Sequence, residues 1–218
     1  MKLNTMLINF LYQVYSIFKR AGDILISVVM LILLSPLMLA VALQIRAGDH
    51  APAIFTQQRL TKDGEVFTLY KFRSMVPGTE EDYSLTLAQD PRVTPVGRFI
   101  RKYRIDELPQ LVNVLRGEMS LVGPRPERPH IAARIEEKLP EFALRLQVKA
   151  GLTGYAQVKG EYGTPSEEKL AMDLYYIDHV SLWLDLKILI QTIGVVLRPE
   201  KAKGLEMDAE EYFSHRSG

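Results

Sequence analysis

From Ile24 through Leu43 the chain reads ILISVVMLILLSPLMLAVAL, twenty residues without a charge, and no other stretch limits the fold so strongly. As one helix this run would be about 30 Å long, the thickness of a bilayer's hydrocarbon core. Length alone predicts a transmembrane helix. Ser35-Pro36, near the middle, complicates that prediction. Pro36 has no N–H and its ring crowds the carbonyl four residues back, so a kink or break is expected and a bent helix could re-emerge on the side it entered. Lys19 and Arg20 before the run, and Arg46, Arg59 and Lys62 after it, mark both ends as cytoplasmic. Two other readings stay open at this point: a straight span that tolerates its proline, and a signal peptide cleaved near Ala40-Val41-Ala42. The long stretch before the run argues against cleavage. There Leu3, Met6, Leu7, Phe10, Leu11, Val14, Ile17 and Phe18 recur at helical spacing, which predicts an amphipathic helix lying in the membrane interface or packed on the protein's own core.

The rest of the 218 residues forms a globular mixture, expected as one catalytic unit over 46–198, with the membrane segment over 1–45 and a polar tail over 199–218. A net charge of +1 supplies no broad field for nucleic acid and argues against bulk DNA or RNA binding. With no cysteine there is neither a disulfide framework nor a thiolate zinc site. Residues 54–73 hold two β-rich stretches about Lys62-Asp63-Gly64, a hairpin signal. Residues 76–92, with Pro77-Gly78, an acidic patch at Glu80 to Asp82 and Asp90-Pro91, read as a surface loop. Leu108, Leu111, Val112 and Leu115 then define a helix that stops at Gly117 and starts at Asp106 and Glu107. Further helices are expected over Pro129–Leu146, Glu167–Tyr176 and Ser181–Leu197. In the last, Leu186, Leu189 and Ile193 read as core. The fold class is therefore α+β, mainly helical, with a small β-hairpin.

Adjacent acids at a helix start are ordinarily caps. Here Arg98, Arg101, Lys102 and Arg104 precede the pair and Gly123-Pro124-Arg125-Pro126 follows the same helix, so cations gather around two carboxylates. Such a cluster suits a pyrophosphate, and a magnesium ion would reconcile acids with phosphate, taking one or two carboxylates plus substrate oxygens. A solvated basic face is the plainer alternative.

The run DPRVTPVGRFIRKYRIDELPQLVNVLRGEMSLVGPRPE, Asp90 to Glu127, closely resembles the signature block of the bacterial sugar transferase family, the monotopic phosphoglycosyl transferases. YKFRSM at Tyr70 to Met75, GLTGYAQVKG at Gly151 to Gly160 and DLYYIDHVSLWLDLKIL at Asp173 to Leu189 follow in the family's order, and Ser35-Pro36 matches its helix-breaking pair. Lys19, Arg20 and Asp23 match its charged lead-in to the membrane. The resemblance implies a re-entrant membrane helix and interfacial helices. It also implies transfer of a sugar phosphate from a UDP-sugar to polyprenyl (undecaprenyl) phosphate, on the cytoplasmic face of a bacterial inner membrane. Asp106 would be the nucleophile that carries a phosphosugar, and Glu107 the ligand of Mg2+. Arg101 and Arg125, flanking the helix, are the expected phosphate contacts, joined by Lys71 and Arg73 of YKFRSM. A homo-oligomer and downstream glycosyltransferases are further partners that the resemblance allows. Departures are also plain: Ala150 stands where the family commonly has proline, Thr61 where glycine is usual, and Lys159 and Glu161 replace an Asn and an Arg. Two other classes compete, a membrane-tethered scaffold whose Asp-Glu pair only caps a helix and a magnesium-dependent nucleotide-sugar hydrolase.

Overall fold

The hairpin forms where alternating apolar residues meet a turn that accepts positive φ. β1 (Ile54–Leu60) and β2 (Val66–Phe72) pair antiparallel, with Ile54 opposite Phe72 and Leu60 opposite Val66. Asp63 and Gly64 take φ of 58° and 77° in the connecting 3-10 turn, as tight hairpin loops require. On β2 the alternation buries Phe67 and Leu69 on one face, against Leu111, Val114, Met119, Tyr176 and Ile188. The computed structural model describes residues 2–79, 90–160 and 163–197, with only the backbone of 2–12 and 49. The expected acidic patch at Glu80 to Asp82, Glu161 and the tail over 199–218 lie outside the described residues.

α1 (Lys2–Asp49) is a single run of helix in which the expected interfacial and membrane segments follow one another without interruption. Helix continues through Pro36, where the sequence predicts a kink or break. The Ser35 hydroxyl donates to the Ile32 carbonyl at 2.8 Å, and that carbonyl is the one the missing Pro36 N–H leaves without its helical partner. Leu25, Ile32, Leu33 and Leu39 are exposed along it, and by length and composition Gln13–Gly48 could cross a membrane.

Both flanks of the apolar run are fastened to the globular part. Before it, Asp23 is buried and accepts from the Ser120 hydroxyl (2.8 Å) and the Leu121 N–H (3.1 Å). Arg20 donates to the carbonyls of Val114 and Leu115, and Lys19 pairs with Asp185 at 2.8 Å. At its other end Val41, still within the run, and Ile45, just after it, pack with Ala53, Phe72 and Ile100 in a second cluster.

α2 (Pro95–Lys102) opens with Thr94 capping the Gly97 N–H. Then come a 3-10 turn (Ile105–Glu107) and α3 (Gln110–Arg116), which ends on Gly117 at φ 81°. β3 (Ser120–Val122) pairs in parallel with β4 (Gly151–Thr153), a three-residue ladder that propensity did not reveal. The helix expected over Pro129–Leu146 is two pieces, α4 (Pro129–Glu136) and a 3-10 stretch (Pro140–Gln147), because Pro140 cannot continue a helix. α5 (Tyr155–Lys159), α6 (Ser166–Asp178) and α7 (Leu182–Val196) are the last elements among the described residues.

The last helix corrects the expected core. Ile188 is buried and Leu189 packs on the main cluster, but Leu186 and Ile193 are 46% and 61% exposed, in line with Trp183 and Ile190. Asp185 fixes which face turns inward. Its carboxylate accepts from Tyr176, Tyr15 and Lys19, so the helix presents its polar residue to the core and its aliphatic stripe outward.

Candidate active site

Asp106 and Glu107 lie in the 3-10 turn ahead of α3, not inside the helix itself. The reason is Pro109: it has no N–H to return to Ile105, whose carbonyl instead accepts from Leu108 at 3.1 Å, tightening the first turn. Arg104, just before the pair, holds φ at 54°, a left-handed conformation that costs a non-glycine residue about 1–2 kcal/mol. That bend turns the chain from α2 into the acid turn and leaves the Arg104 guanidinium 3.9 Å from Glu107 Oε2.

The two carboxylates meet different surroundings. Glu107 is buried and held by cations from three segments: Arg125 Nη2 at 2.8 Å and Lys71 Nζ at 3.4 Å on Oε1, with Arg104 on the other oxygen. Burial would push its carboxyl up, but Arg125, Lys71 and Arg104 together hold it below the usual range. Asp106 has no hydrogen bond or ion pair among the described residues. Burial pushes its carboxyl up to about 6, while the Lys71 ammonium pulls the other way and the Glu107 charge adds to the rise. Burial lowers Lys71 from the ordinary lysine value against the pull of Glu107, and Glu107 first of all raises Arg125. One acid is thus locked and anionic, the other unpaired and close to cations.

Of the residues expected at phosphate, Lys71 and Arg125 converge on Glu107, and Arg125, with 44% of its side chain exposed, has surface to offer a ligand. Arg101, at the end of α2, carries no side-chain bond among the described residues and is close enough to lower the Asp106 carboxyl. Arg73 is placed elsewhere. It is buried, and its guanidinium donates to the carbonyls of Pro52, Ala51 and Met75, tying the segment after α1 to the end of β2. Arg104 was legible only as one of several cations before the acids; its left-handed backbone is what aims it.

The Gly123-Pro124-Arg125-Pro126 loop owes its shape to donors from elsewhere. Gly151 N–H bonds Pro124 O (2.8 Å), Arg145 Nη2 bonds Arg125 O (2.8 Å), Arg59 Nη1 bonds Pro126 O (3.0 Å) and Leu60 N–H bonds Glu127 O (2.9 Å). Gly123, Gly151 and Gly154 allow the backbones to touch; a Cβ on Gly151 would come within 2.1 Å of Gly123 N. Two departures from the family pattern also meet here. The Ala150 N–H, which a proline would lack, donates to Thr61 Oγ1 at 3.2 Å, and the Thr61 hydroxyl donates to Glu118 O at 2.8 Å.

For a divalent ion the described residues hold no cluster of three acidic, His or Cys side chains. The carboxylates of Asp106 and Glu107 nonetheless match the one or two protein ligands that magnesium takes when phosphates supply the rest. Glu107 Oε2, whose nearest cation is at 3.9 Å, is the less occupied oxygen.

A protein of Aeromonas hydrophila, named UDP-N-acetylgalactosamine-undecaprenyl-phosphate N-acetylgalactosaminephosphotransferase, is 43% identical over 189 residues, 84% of this chain and 44% of its own length. An undecaprenyl-phosphate glucose phosphotransferase of Komagataeibacter xylinus is 44% identical over 80% of this chain and 35% of its own length. An undecaprenyl-phosphate galactose phosphotransferase of Salmonella typhimurium is 40% identical over 84% of this chain and 41% of its own. The chain spans less than half the length of each of these relatives. Near-equal identity to proteins named for three different sugars means that overall similarity does not select the sugar. The family model described as bacterial sugar transferase matches residues 14–199, and the chain belongs to that family.

Proposed function

We propose that the chain is a phosphoglycosyl transferase that moves sugar 1-phosphate from a UDP-sugar to undecaprenyl phosphate and releases UMP. The observation that carries the reading is the unequal treatment of two adjacent acids, Glu107 gripped by three cations and Asp106 without a bonded partner among the described residues but within the field of Lys71. An Asp106 oxygen attacks the sugar-proximal phosphorus, the bond from that phosphorus to the bridging oxygen breaks, and UMP leaves with the electron pair. A phosphate oxygen of the lipid then attacks the same phosphorus, the acyl phosphate P–O bond breaks, and the Asp106 carboxylate returns. Covalent transfer suits a soluble donor and a lipid acceptor, which need not occupy the site together. Lys71, Arg101 and Arg125 offset the repulsion between carboxylate and pyrophosphate, and Glu107 fixes Lys71 and Arg125 in place. Magnesium, held by Glu107 with phosphate oxygens, would supply further charge neutralisation at the leaving phosphate.

The reading places this chemistry at the cytoplasmic face of a bacterial plasma membrane, with α1 dipping into the bilayer and returning. Two sets of contacts support re-entry. Asp23 just before the run is bonded to β3, and Val41 at its end and Ile45 just after it pack on Phe72 and Ile100 of the same globular body. A straight crossing would put Asp23 and Ile45, about 33 Å apart along the helix, at opposite faces of the hydrocarbon, where one globular body could not hold both. Single cysteines introduced before Lys19 and after Arg46 are expected to label from the cytoplasmic side alone; labelling from opposite faces would establish a span. The product would start assembly of an exopolysaccharide, capsule, O-antigen or glycoprotein glycan and pass to downstream glycosyltransferases.

Incubation with UDP-sugar and no lipid, acid quench and intact mass analysis should show one added phosphosugar, mapped to Asp106. UMP release only in the presence of lipid, with no adduct trapped, would replace the covalent route by direct transfer in a ternary complex. UMP release without lipid at an undiminished steady rate would make the protein a hydrolase. A panel of UDP-sugars in the same assay identifies the donor.

A further inference from the structure

The loop that delivers Arg125 to Glu107 has few bonds of its own to rely on. Pro124 and Pro126 on either side of Arg125 have no N–H, so this segment cannot join a sheet ladder and is held through its carbonyls. Three of the four donors that meet those carbonyls belong to the hairpin or β4: Gly151, Arg59 and Leu60. The fourth, at Arg125 itself, is Arg145 from the 3-10 stretch.

Arg145 is 7% exposed, and Asp173 of α6, its partner, is 1% exposed. Arg145 Nε donates to Asp173 Oδ2 at 3.0 Å, and Nη2 is shared between that carboxylate oxygen and Arg125 O, each at 2.8 Å. Beneath it the Phe142 ring lies 4.7 Å from the guanidinium carbon, so charge, plane and position are all fixed. A buried ion pair contributes little net stability compared with apolar side chains of the same size. What the pair supplies, and apolar packing would not, is a fixed donor on one particular carbonyl.

We infer that Arg145, clamped by Asp173, is a positioning residue that holds the Arg125 backbone so that its guanidinium reaches Glu107. The chain of contacts runs from α6 through the 3-10 stretch to the loop and ends 2.8 Å from Glu107 Oε1. This rests on the transferase reading for its effect on rate, but not for its effect on geometry. Arg145→Lys keeps the charge and loses the fork that binds Asp173 and Arg125 O together. Misplacement of a binding group by about 1 Å can cost on the order of 10²-fold in rate, and a loss of that size is expected in UMP release by Arg145→Lys.

The test is a double-mutant cycle on the full chain in detergent or nanodiscs, with Arg145→Lys, Arg125→Ala and the combination. Action through Arg125 makes the combination no slower than Arg125→Ala alone, whereas an independent structural role would multiply the two losses. A second variant, Arg145→Met with Asp173→Leu, removes both charges and keeps the bulk. Its melting temperature should stay near that of the wild type while the Arg125–Glu107 contact is lost in its structure. Retention of that contact at 2.8 Å, or multiplicative losses in the cycle, overturns the inference. If the wild type releases no UMP, the transferase reading fails, and the variant's structure still decides whether Arg145 places Arg125.

Discussion

The two walls of the site are built in opposite ways. The wall that carries Asp106 and Glu107 is local: a 3-10 turn closed by i to i+3 bonds, a proline, and the helix that follows it directly. The wall that carries Arg125 is assembled from a distance, its four carbonyls answered by residues of the hairpin, β4 and the 3-10 stretch. A local wall can lose a functional side chain and keep its shape. A wall held from outside is sensitive to residues that never approach the substrate.

Asp106→Asn should show the first half of that contrast at its largest. The turn is kept by backbone bonds, so melting should be unchanged, while UMP release falls by at least about 10³-fold and no adduct forms. Glu107→Gln should be less clean. An amide cannot neutralise Lys71, Arg104 and Arg125, so turnover should fall by about 10²-fold with loss of most magnesium dependence. Breaking these buried pairs should also lower stability by about 3 kcal/mol, read by chemical denaturation. Near-normal activity in that variant would remove Glu107 from the chemistry. Arg101→Lys, where only the bidentate fork is lost, is expected to slow turnover about tenfold with the same melting temperature; normal kinetics would return Arg101 to the solvated surface.

The smallest effect on rate is expected from a change behind the distant wall that leaves Arg125 and Arg145 in place. Thr61→Gly would leave the buried Ala150 N–H without an acceptor, a loss of about 1–3 kcal/mol, and adding Ala150→Pro should recover most of it. A double variant no more stable than Thr61→Gly alone would show that the two departures are unrelated. The coupling is chemically simple: replacing proline by alanine adds an N–H to a buried segment, and a hydroxyl in place of a glycine supplies the oxygen that receives it.

That same contrast explains what could be read from the sequence. The hairpin, α3 with its glycine stop, α6 and α7 all announce themselves through periodicity and turn chemistry within a few residues. The acids and Arg125 were legible as a charge cluster around one helix, and Lys71 through its motif. Arg73 carried the same charge and the same motif, but nothing in a linear pattern distinguishes a guanidinium that faces a carboxylate from one that satisfies backbone carbonyls. Asp173 opened one of the quoted motifs, but nothing linked it to Arg145, 28 positions away, because the meaning of the pair depends on a carbonyl twenty positions from Arg145. β3 and β4 were too short to show a period. Leu186 and Ile193 misled for a different reason: apolar spacing identifies a face but not what lies against it, and the polar hub at Asp185 turned that face outward.

The bonds that Asp23 and Arg20 make with β3 and the end of α3 bear on how this protein could be engineered. Deleting α1 to obtain a water-soluble enzyme would strip Ser120 and Leu121 of their acceptor, leave the last carbonyls of α3 uncapped, and bare the surface that Val41 and Ile45 cover. Solubility has to come from repainting instead. Polar replacements at Leu25, Ile32, Leu33 and Leu39 would address the exposed side chains alone, leaving the inward face of the helix to go on serving as part of the scaffold.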